Sequence, residues 1–218
     1  MIEQNKNLAL ELYFGGTFSP IHFGHLQPLL EIAEPLAAEK IYLLPNGHPP
    51  HRAKPDVADK DRYNMCQLAT QVDPRLAVDD RELNAKEPEY TINTLKALRA
   101  EKPEASLVFV IGMDSLNTID TWLDWTELTQ YAHLIVLQRG GCPIDLKPHI
   151  SAWIEDKLAT NIMNLKQKKS GLIYLSQSSA LQISSSFIRS RYKLALNNRC
   201  LLPESVNKYI MTNQLYQN

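Results

Sequence analysis

Short continuous apolar runs that end at glycine constrain the fold of this chain more than any other feature. SLVFVI at 106–111 stops at Gly112, and HLIVLQ at 133–138 is followed by the glycine pair 140–141. Runs of this length and uniformity are typical of parallel strands that are covered on both faces. Further strands are predicted at 8–14, 41–44, Leu76–Val78 and 172–175.

Helical patterns separate these runs. Helices are predicted over 26–38, with Pro28 in the first turn, and over 57–72, with Asp56 as the cap. The other predicted helices cover 91–102, 127–131, 150–158, 184–196 and 204–211. Strands that alternate with helices predict an α/β fold, a Rossmann-like doubly wound parallel sheet. We expect a single domain over 1–218, in which 180–218 form a small helical C-terminal lobe.

The charge balance and the cysteines narrow the classes of function. The chain has 218 residues, with 23 basic and 24 acidic side chains, so it lacks the basic excess of nonspecific nucleic-acid or membrane binding. Cys66, Cys142 and Cys200 are far apart, which is typical of reduced thiols. The sequence shows neither a signal peptide nor a run of membrane-spanning length. We expect a cytoplasmic protein with no nucleic-acid or membrane partner, and the sequence leaves the oligomeric state open.

The segment FGGTFSPIHFGH at 14–25 concentrates glycine and histidine. Gly15, Gly16 and Gly24 are three of the chain's eight glycines, and His22 and His25 are two of its six histidines. The segment leaves a predicted strand and enters a helix, whose first N–H groups and dipole favour an anion. The segment therefore has the parts of a phosphate cradle. An ordinary turn or half of a metal site are the alternatives, and neither the Walker motif nor G-x-G-x-x-G is present.

The same segment resembles the G-G-x-F-x-P-x-H-x-G-H signature of the nucleotidyltransferase superfamily. The resemblance implies transfer of a nucleotidyl group from a nucleoside triphosphate with release of pyrophosphate. It implies that His22 and His25 contact the triphosphate. It also implies a nucleotide-binding loop formed by Gly15, Gly16, Thr17 and Phe18.

A second segment, QISSSFIRSR at 182–191, is similar to the superfamily's I-S-[ST]-T-x-I-R motif. A capped surface helix with a solvated arginine is the simplest interpretation of the segment alone. The resemblance implies instead that Ser184, Ser186 and Arg189 bind the ATP phosphates from the opposite side. Arginine suits this task because its planar guanidinium makes forked contacts to phosphate oxygens.

The middle of the chain resembles bacterial nicotinate-nucleotide adenylyltransferases. The matching stretches are PNGHPPHR (45–52), DRELNAKEPEYTINTL (80–95), IGMDSLNTIDTW (111–122) and HLIVLQRGG (133–141). Glu89 stands where serine is common, and Leu123 stands where some relatives have an aromatic residue. The resemblance implies stacking of the pyridine ring on Trp122 and binding of the nicotinate carboxylate near Thr91 and Leu123. It implies further substrate contacts from His51, Arg52, Asp114 and Arg139.

The implied reaction joins ATP and nicotinate mononucleotide directly, without a covalent enzyme intermediate. His25, His22 and Arg189 are the expected catalytic residues, because alignment and charge neutralisation must supply the rate. Mg²⁺ is the expected cofactor, held mainly by substrate phosphates and water rather than by a protein metal site. Three alternatives remain open: a sister enzyme for nicotinamide mononucleotide or another phosphate acceptor, a noncatalytic nucleotide-binding regulator, and a fragment of a class I aminoacyl-tRNA synthetase.

Overall fold

Six parallel strands form one sheet in the computed structural model, which describes residues 8–47, 56–85, 89–138, 144–179 and 181–217. The strand order is β3-β2-β1-β4-β5-β6, so the chain winds outward in both directions from β1 and β4. This arrangement confirms the predicted doubly wound sheet. The strands are β1 Leu10–Gly16, β2 Lys40–Pro45, β3 Leu76–Val78, β4 Ser106–Gly112, β5 His133–Leu137 and β6 Ile173–Leu175.

Alternate residues of the central strands enter two separate apolar cores. Leu12 and Val108 belong to one core, whereas Tyr13 and Phe109 belong to the other. Every residue of β4 is buried, because helices cover both faces of the sheet. This double burial explains why the strands lack the polar alternation of a sheet that faces water.

Eight helices connect and cover the strands within the described residues. They are α1 Phe23–Ala33, α2 Asp59–Ala69, α3 Thr91–Glu101, α4 Met113–Leu116, α5 Leu128–Tyr131, α6 Pro148–Glu155, α7 Ser185–Lys193 and α8 Glu204–Thr212. Short 3₁₀ turns lie at Thr70–Val72, Ile119–Thr121, Trp125–Glu127 and Ile162–Gln167. In the part of the chain described here, no helix has the length and apolar character needed to cross a membrane.

Two helix starts differ from the prediction. Helix α1 begins at Phe23, so Pro28 lies beyond the first turn; the backbone N–H of His22 donates to His25 Nδ1 at 3.3 Å and closes the earlier turn. Helix α2 begins at Asp59 and is not capped by Asp56. The Asp56 carboxylate instead lies 3.0 Å from Arg189 Nε.

The two terminal helices pack on the same core as β1. Ile188, Val206 and Ile210 are fully buried with Leu12 and Phe14 in one cluster. Full burial of such side chains stabilises a fold by roughly 1.5–3 kcal/mol each. This packing fixes α7 close to the loop that follows β1.

Candidate active site

One cavity of about 690 Å³ lies at the carboxyl ends of the central strands. The sheet order reverses between β1 and β4, and ligands of open α/β sheets bind at such a reversal. We name two sides of the cavity. The nucleotide wall comprises residues 15–25 and the start of α7 at 184–189. The acceptor wall comprises Asn46, residues 89–91 and residues 112–123.

Most residues predicted for the site line this cavity. His22 does not line it but lies directly behind, with 2% of its surface exposed and its ring stacked on His25 at a centroid distance of 3.7 Å. His51, Arg52 and Arg139 lie outside the described residues. The predicted residues that line the cavity are Gly15, Gly16, Thr17, Phe18, His25, Thr91, Asp114, Trp122, Leu123, Ser184, Ser186 and Arg189.

His25 is fixed in one orientation at the floor of the nucleotide wall. Its Nδ1 accepts the backbone N–H of His22, which assigns the proton of the neutral ring to Nε2. The edges of Phe14 and Phe18 meet the ring at centroid distances of 6.0 and 5.2 Å. A histidine held in this way can donate from Nε2 to a phosphate oxygen without reorganising.

The glycines of the opening loop serve the packing of the protein itself. A Cβ on Gly15 would lie 2.6 Å from the Phe109 ring, and one on Gly16 would lie 2.7 Å from the Phe18 ring. Phe18 is itself buried with φ at 47°, a conformation that costs a non-glycine residue energy and persists only where packing enforces it. Both glycines are therefore required by contacts within the protein.

Direct hydrogen bonds join α7 to the opening loop. Ser185 Oγ donates to the Pro20 carbonyl at 3.0 Å, and Arg189 Nη1 donates to the Ser19 carbonyl at 2.8 Å. Ser184 is the N-cap of α7, and its Oγ accepts the Phe187 N–H at 3.2 Å. The two segments that are far apart in the sequence therefore meet at one cavity, as predicted.

Arg62 is a buried cation beneath the nucleotide wall that the sequence did not reveal. Its side chain is fully buried, its Nη1 donates to the Thr17 carbonyl at 3.0 Å, and its Nη2 lies 2.5 Å from Asp59 Oδ1. Asp59 balances the charge of this guanidinium, which fixes the backbone of the opening loop at Thr17. An arginine in a mostly polar helix gives no sequence signal of this burial.

The acceptor wall is assembled from several short elements. Thr91 is the first residue of α3, Asp114 lies in the single turn of α4, and Trp122 follows the 3₁₀ turn Ile119–Thr121. Leu123 keeps 45% of its surface exposed. Other residues that were not predicted also line this wall, namely Asn46, Glu89, Tyr90, Thr118 and Thr121. These residues are neighbours of the predicted site residues in the sequence. Their position in the same loops could therefore have identified them.

A buried carboxyl group lies behind the acceptor wall. Glu82 is 7% exposed, and Thr94 Oγ1 donates to its Oε1 at 2.8 Å. Burial raises the pKa of Glu82 to about 7, with a smaller raising effect from the nearby Glu89 and Asp79 carboxylates and against the lowering effect of its hydrogen bonds from Thr94 and the Gly47 backbone. This group therefore titrates close to neutral pH.

Within the described residues, no group of three His, Cys, Asp or Glu side chains is arranged to hold a metal ion. The cavity does offer hard oxygen ligands, the Asp114 carboxylate and the Thr17 hydroxyl. Such a set suits Mg²⁺ that keeps most of its coordination to phosphate and water. The residues present thus fit a metal that enters with its nucleotide.

Comparisons with known sequences agree over nearly the whole chain. A family model described as cytidylyltransferase-like matches residues 13–191. The chain is 42% identical over 211 residues to a Pectobacterium atrosepticum protein named a probable nicotinate-nucleotide adenylyltransferase, covering 96% of this chain and 99% of that protein. A protein of Escherichia coli O6:H1 named nicotinate-nucleotide adenylyltransferase is 38% identical, with the same coverage of 96% and 99%.

Solved structures share the fold. The Plasmodium falciparum nicotinic acid mononucleotide adenylyltransferase complexed with NaAD superposes with a TM-score of 0.73 over 95% of this chain and 97% of that one. The same enzyme complexed with APC gives a TM-score of 0.71. Sequence identity in both cases is 20%, so this likeness carries the fold alone.

Proposed function

We propose that this chain, which belongs to the nicotinate-nucleotide adenylyltransferases within the cytidylyltransferase-like family, transfers the adenylyl group of ATP to nicotinate mononucleotide. The products are deamido-NAD and pyrophosphate, in NAD biosynthesis. The observation that carries the proposal is the meeting of the opening loop and α7 at one cavity. The whole chain, 1–218, then acts as one nucleotidyltransferase domain whose residues 180–218 form the helical lobe.

The reaction is one in-line displacement. An oxygen of the acceptor phosphate forms a bond to the α-phosphorus of ATP while the bond from that phosphorus to the bridging oxygen breaks. The electron pair leaves with pyrophosphate, and the acceptor is already anionic, so no side chain has to act as nucleophile. The protein contributes alignment and stabilisation of the leaving charge.

The nucleotide wall supplies the charge stabilisation. His25 donates from Nε2 to the phosphates at the reacting end, and His22 supports it through the stacked ring contact. Arg189 and the hydroxyls of Ser184 and Ser186 hold the β- and γ-phosphates from α7. Mg²⁺, held by substrate phosphates with Asp114 and Thr17 in reach, would neutralise phosphate charge when bound.

The acceptor wall binds the mononucleotide. Trp122 offers a flat face to the pyridinium ring, where stacking and cation–π attraction act together. The first turn of α3 at Thr91 and the backbone at Leu123 receive the nicotinate carboxylate, because α3 presents its positive dipole end there. His51 and Arg52 are proposed to contact the nucleotide phosphates, and Arg139 is proposed to contact the substrate; these three lie outside the described residues.

The experiment that tests this function is a comparison of acceptors. Purified protein with ATP and Mg²⁺ is given nicotinate mononucleotide, nicotinamide mononucleotide or no acceptor, and pyrophosphate and dinucleotide are measured together. We expect turnover with the nicotinate compound to exceed that with the amide, and to require Mg²⁺. Preference for the amide would identify the sister enzyme. ATP binding without pyrophosphate release would identify a regulator.

Two further observations support a cytoplasmic protein and argue against a fragment of an aminoacyl-tRNA synthetase. Cys66 is buried and Cys200 exposed, both as free thiols, which supports a reducing cytoplasmic setting. The synthetase alternative shares the histidine-containing loop, but the sequence has no lysine-rich second catalytic motif. The match to adenylyltransferases over 96% of the chain favours the mononucleotide acceptor.

A further inference from the structure

The Glu82 carboxyl group joins two parts of the cavity that the reaction must hold in register. Glu82 lies in the turn after β3 and is 7% exposed. It accepts the hydroxyl of Thr94 at 2.8 Å and the backbone N–H of Gly47. A buried carboxylate that bridges two donors restrains both, since each lost hydrogen bond would leave charge uncompensated.

The two donors lead to the two substrate sites. Gly47 follows Asn46, whose own N–H donates to the carbonyl of Gly16 at 2.9 Å in the nucleotide wall. Thr94 lies one helical turn beyond Thr91, in the helix that starts the acceptor wall. A continuous path therefore runs from the nucleotide loop through the end of β2 and through Glu82 to the acceptor helix.

The residues along this path are closely packed. A Cβ on Gly47 would lie 2.4 Å from the Glu82 carbonyl oxygen, so the two backbones are in direct contact. Thr94 is 3% exposed, so water cannot replace its hydroxyl. A change at the carboxyl group must shift one of the two walls rather than be absorbed locally.

We propose that Glu82 is a positioning residue that sets the distance between the nucleotide and acceptor sites. This inference rests on the proposed function. An in-line transfer is sensitive to misplacement of the acceptor phosphate by about 1 Å, for which losses of roughly a hundredfold are known in enzymes. Among the residues that the structure describes, Glu82 acts on the two sites through Gly47 and Thr94.

The test uses variants that change hydrogen bonding with little change in volume. Thr94→Val and Glu82→Gln should each lower kcat/KM for nicotinate mononucleotide about tenfold, the loss expected for one hydrogen bond to a buried charged group. The KM for ATP should stay within about twofold, because the phosphate grip is formed by the nucleotide wall. Thr94→Ser keeps the hydroxyl and should restore most of the activity.

A double variant tests whether the two residues act as one unit. Glu82→Gln combined with Thr94→Val should lose little more than either single variant, because they break the same link. Additive losses would contradict a shared link.

A matched control separates positioning from stability. Ser106 Oγ donates to the Leu165 carbonyl at 2.7 Å, also buried, at the opposite end of β4. Ser106→Ala should lower the melting temperature without changing either KM or kcat. If Thr94→Val and Glu82→Gln behave like Ser106→Ala, the inference is overturned. A wild-type protein with no turnover at all would instead contradict the proposed function.

A pH profile gives a readout that a purely structural role would not move. The charged groups near Glu82 among the described residues are Glu89 and Asp79, and Asp79 is paired with Arg81 at 2.8 Å. A protonated Glu82 loses one acceptor oxygen, so kcat/KM for the mononucleotide should fall below about pH 7. Glu82→Gln resembles the protonated form, so its kcat/KM should not show this fall at acid pH. An identical acid limb in both proteins would also overturn the inference.

Discussion

The two walls of the cavity are built in opposite ways. The nucleotide wall consists of two compact segments that bond to each other directly, through Ser185 to Pro20 and Arg189 to Ser19. The acceptor wall collects the ends of β2 and β4, the start of α3 and a 3₁₀ turn, and two of these parts, the end of β2 and α3, are joined by the buried side chain of Glu82. The first wall depends on local motifs, whereas the second depends on the register of distant elements.

Charge differs between the walls as well. A buried guanidinium, Arg62, lies under the nucleotide wall, while a buried carboxyl group, Glu82, lies behind the acceptor wall. The guanidinium, paired with Asp59, holds the Thr17 carbonyl of the nucleotide wall, whereas the carboxyl group restrains Gly47 and Thr94. We therefore expect changes in the nucleotide wall to affect kcat most, and changes in the acceptor wall to affect acceptor affinity and pH dependence.

The largest effect is expected at His25. His25→Ala should lower kcat about 10²–10³-fold with little change in KM, because loss of a preorganised donor acts mainly on the transition state. Steady-state pyrophosphate release measures this change. His149→Ala is the control, because that histidine pairs with Asp120 outside the cavity. An unchanged kcat in His25→Ala would remove the residue from the mechanism.

The second prediction concerns the stability cost of the acceptor wall. The pKa of Glu82 is raised from 4.5 to about 7, so the fold loses stability as pH rises through this interval, by about 3 kcal/mol in all. Glu82→Gln removes the titration. Urea unfolding at pH 5 and pH 8 should therefore show a smaller loss of unfolding free energy with rising pH in the variant. Equal losses in the two proteins would contradict the assignment.

The third prediction concerns His133, in strand β5 away from the site. It should change stability with pH in the opposite direction to Glu82. Burial lowers its pKa from 6.5 to about 4, and its ring bonds the Lys168 carbonyl and the Leu172 N–H. The contribution of the neutral His133 ring to the free energy of unfolding is complete above pH 6.5. About 3 kcal/mol of it is lost as pH falls towards 4. His133→Gln should reduce the loss of unfolding free energy as pH falls from 6.5 to 4. It should leave kcat and KM at pH 8 unchanged. A variant that keeps the acid loss would refute this origin.

A smaller effect is expected at Trp122. Trp122→Ala should raise the KM for nicotinate mononucleotide about tenfold, since the lost stacking and cation–π contacts are worth roughly 1–2 kcal/mol. The KM for ATP should not change. Trp153→Ala is the matched control, because Trp153 packs on Trp125 at 5.0 Å and does not line the cavity. Equal acceptor saturation in wild type and Trp122→Ala would reject the stacking role.

The smallest effect is expected at Asp56. Its carboxylate pairs with Arg189 at 3.0 Å and is largely exposed, so the pair is worth at most about 1 kcal/mol. Asp56→Asn should lower the KM for ATP about twofold, because Arg189 no longer has to leave a partner to meet phosphate. Titration with a nonhydrolysable ATP analogue measures the change. Weaker binding in the variant would show that Asp56 orients Arg189 rather than competing for it.

The sequence predicted the nucleotide wall well because its signals are local. Glycines, histidines and the serine–arginine segment carry their geometry within a few residues, and continuous apolar strands fix the sheet they belong to. The nicotinate-nucleotide adenylyltransferase resemblance is confirmed by the comparisons. The individual roles of the site residues stay predictions.

What the sequence could not predict depends on tertiary contacts. Arg62 is buried under Thr17, and Glu82 is buried between Gly47 and Thr94. In each case the partners are distant in the sequence or lie in another structural element. The Asp56 cap was wrong because the helix begins only at Asp59, with Ala58 at the N-cap position, and the Asp56 carboxylate pairs with Arg189. Neither periodicity nor local propensity encodes such pairings.

The central claim is that both walls act on one transfer, from ATP to a mononucleotide. The most direct measurement follows pyrophosphate and dinucleotide in the same reaction, with nicotinate mononucleotide varied and ATP held saturating. We expect pyrophosphate to appear only with acceptor and to equal the deamido-NAD formed, one for one. Release without acceptor, or acceptor binding with no dinucleotide formed, would contradict it.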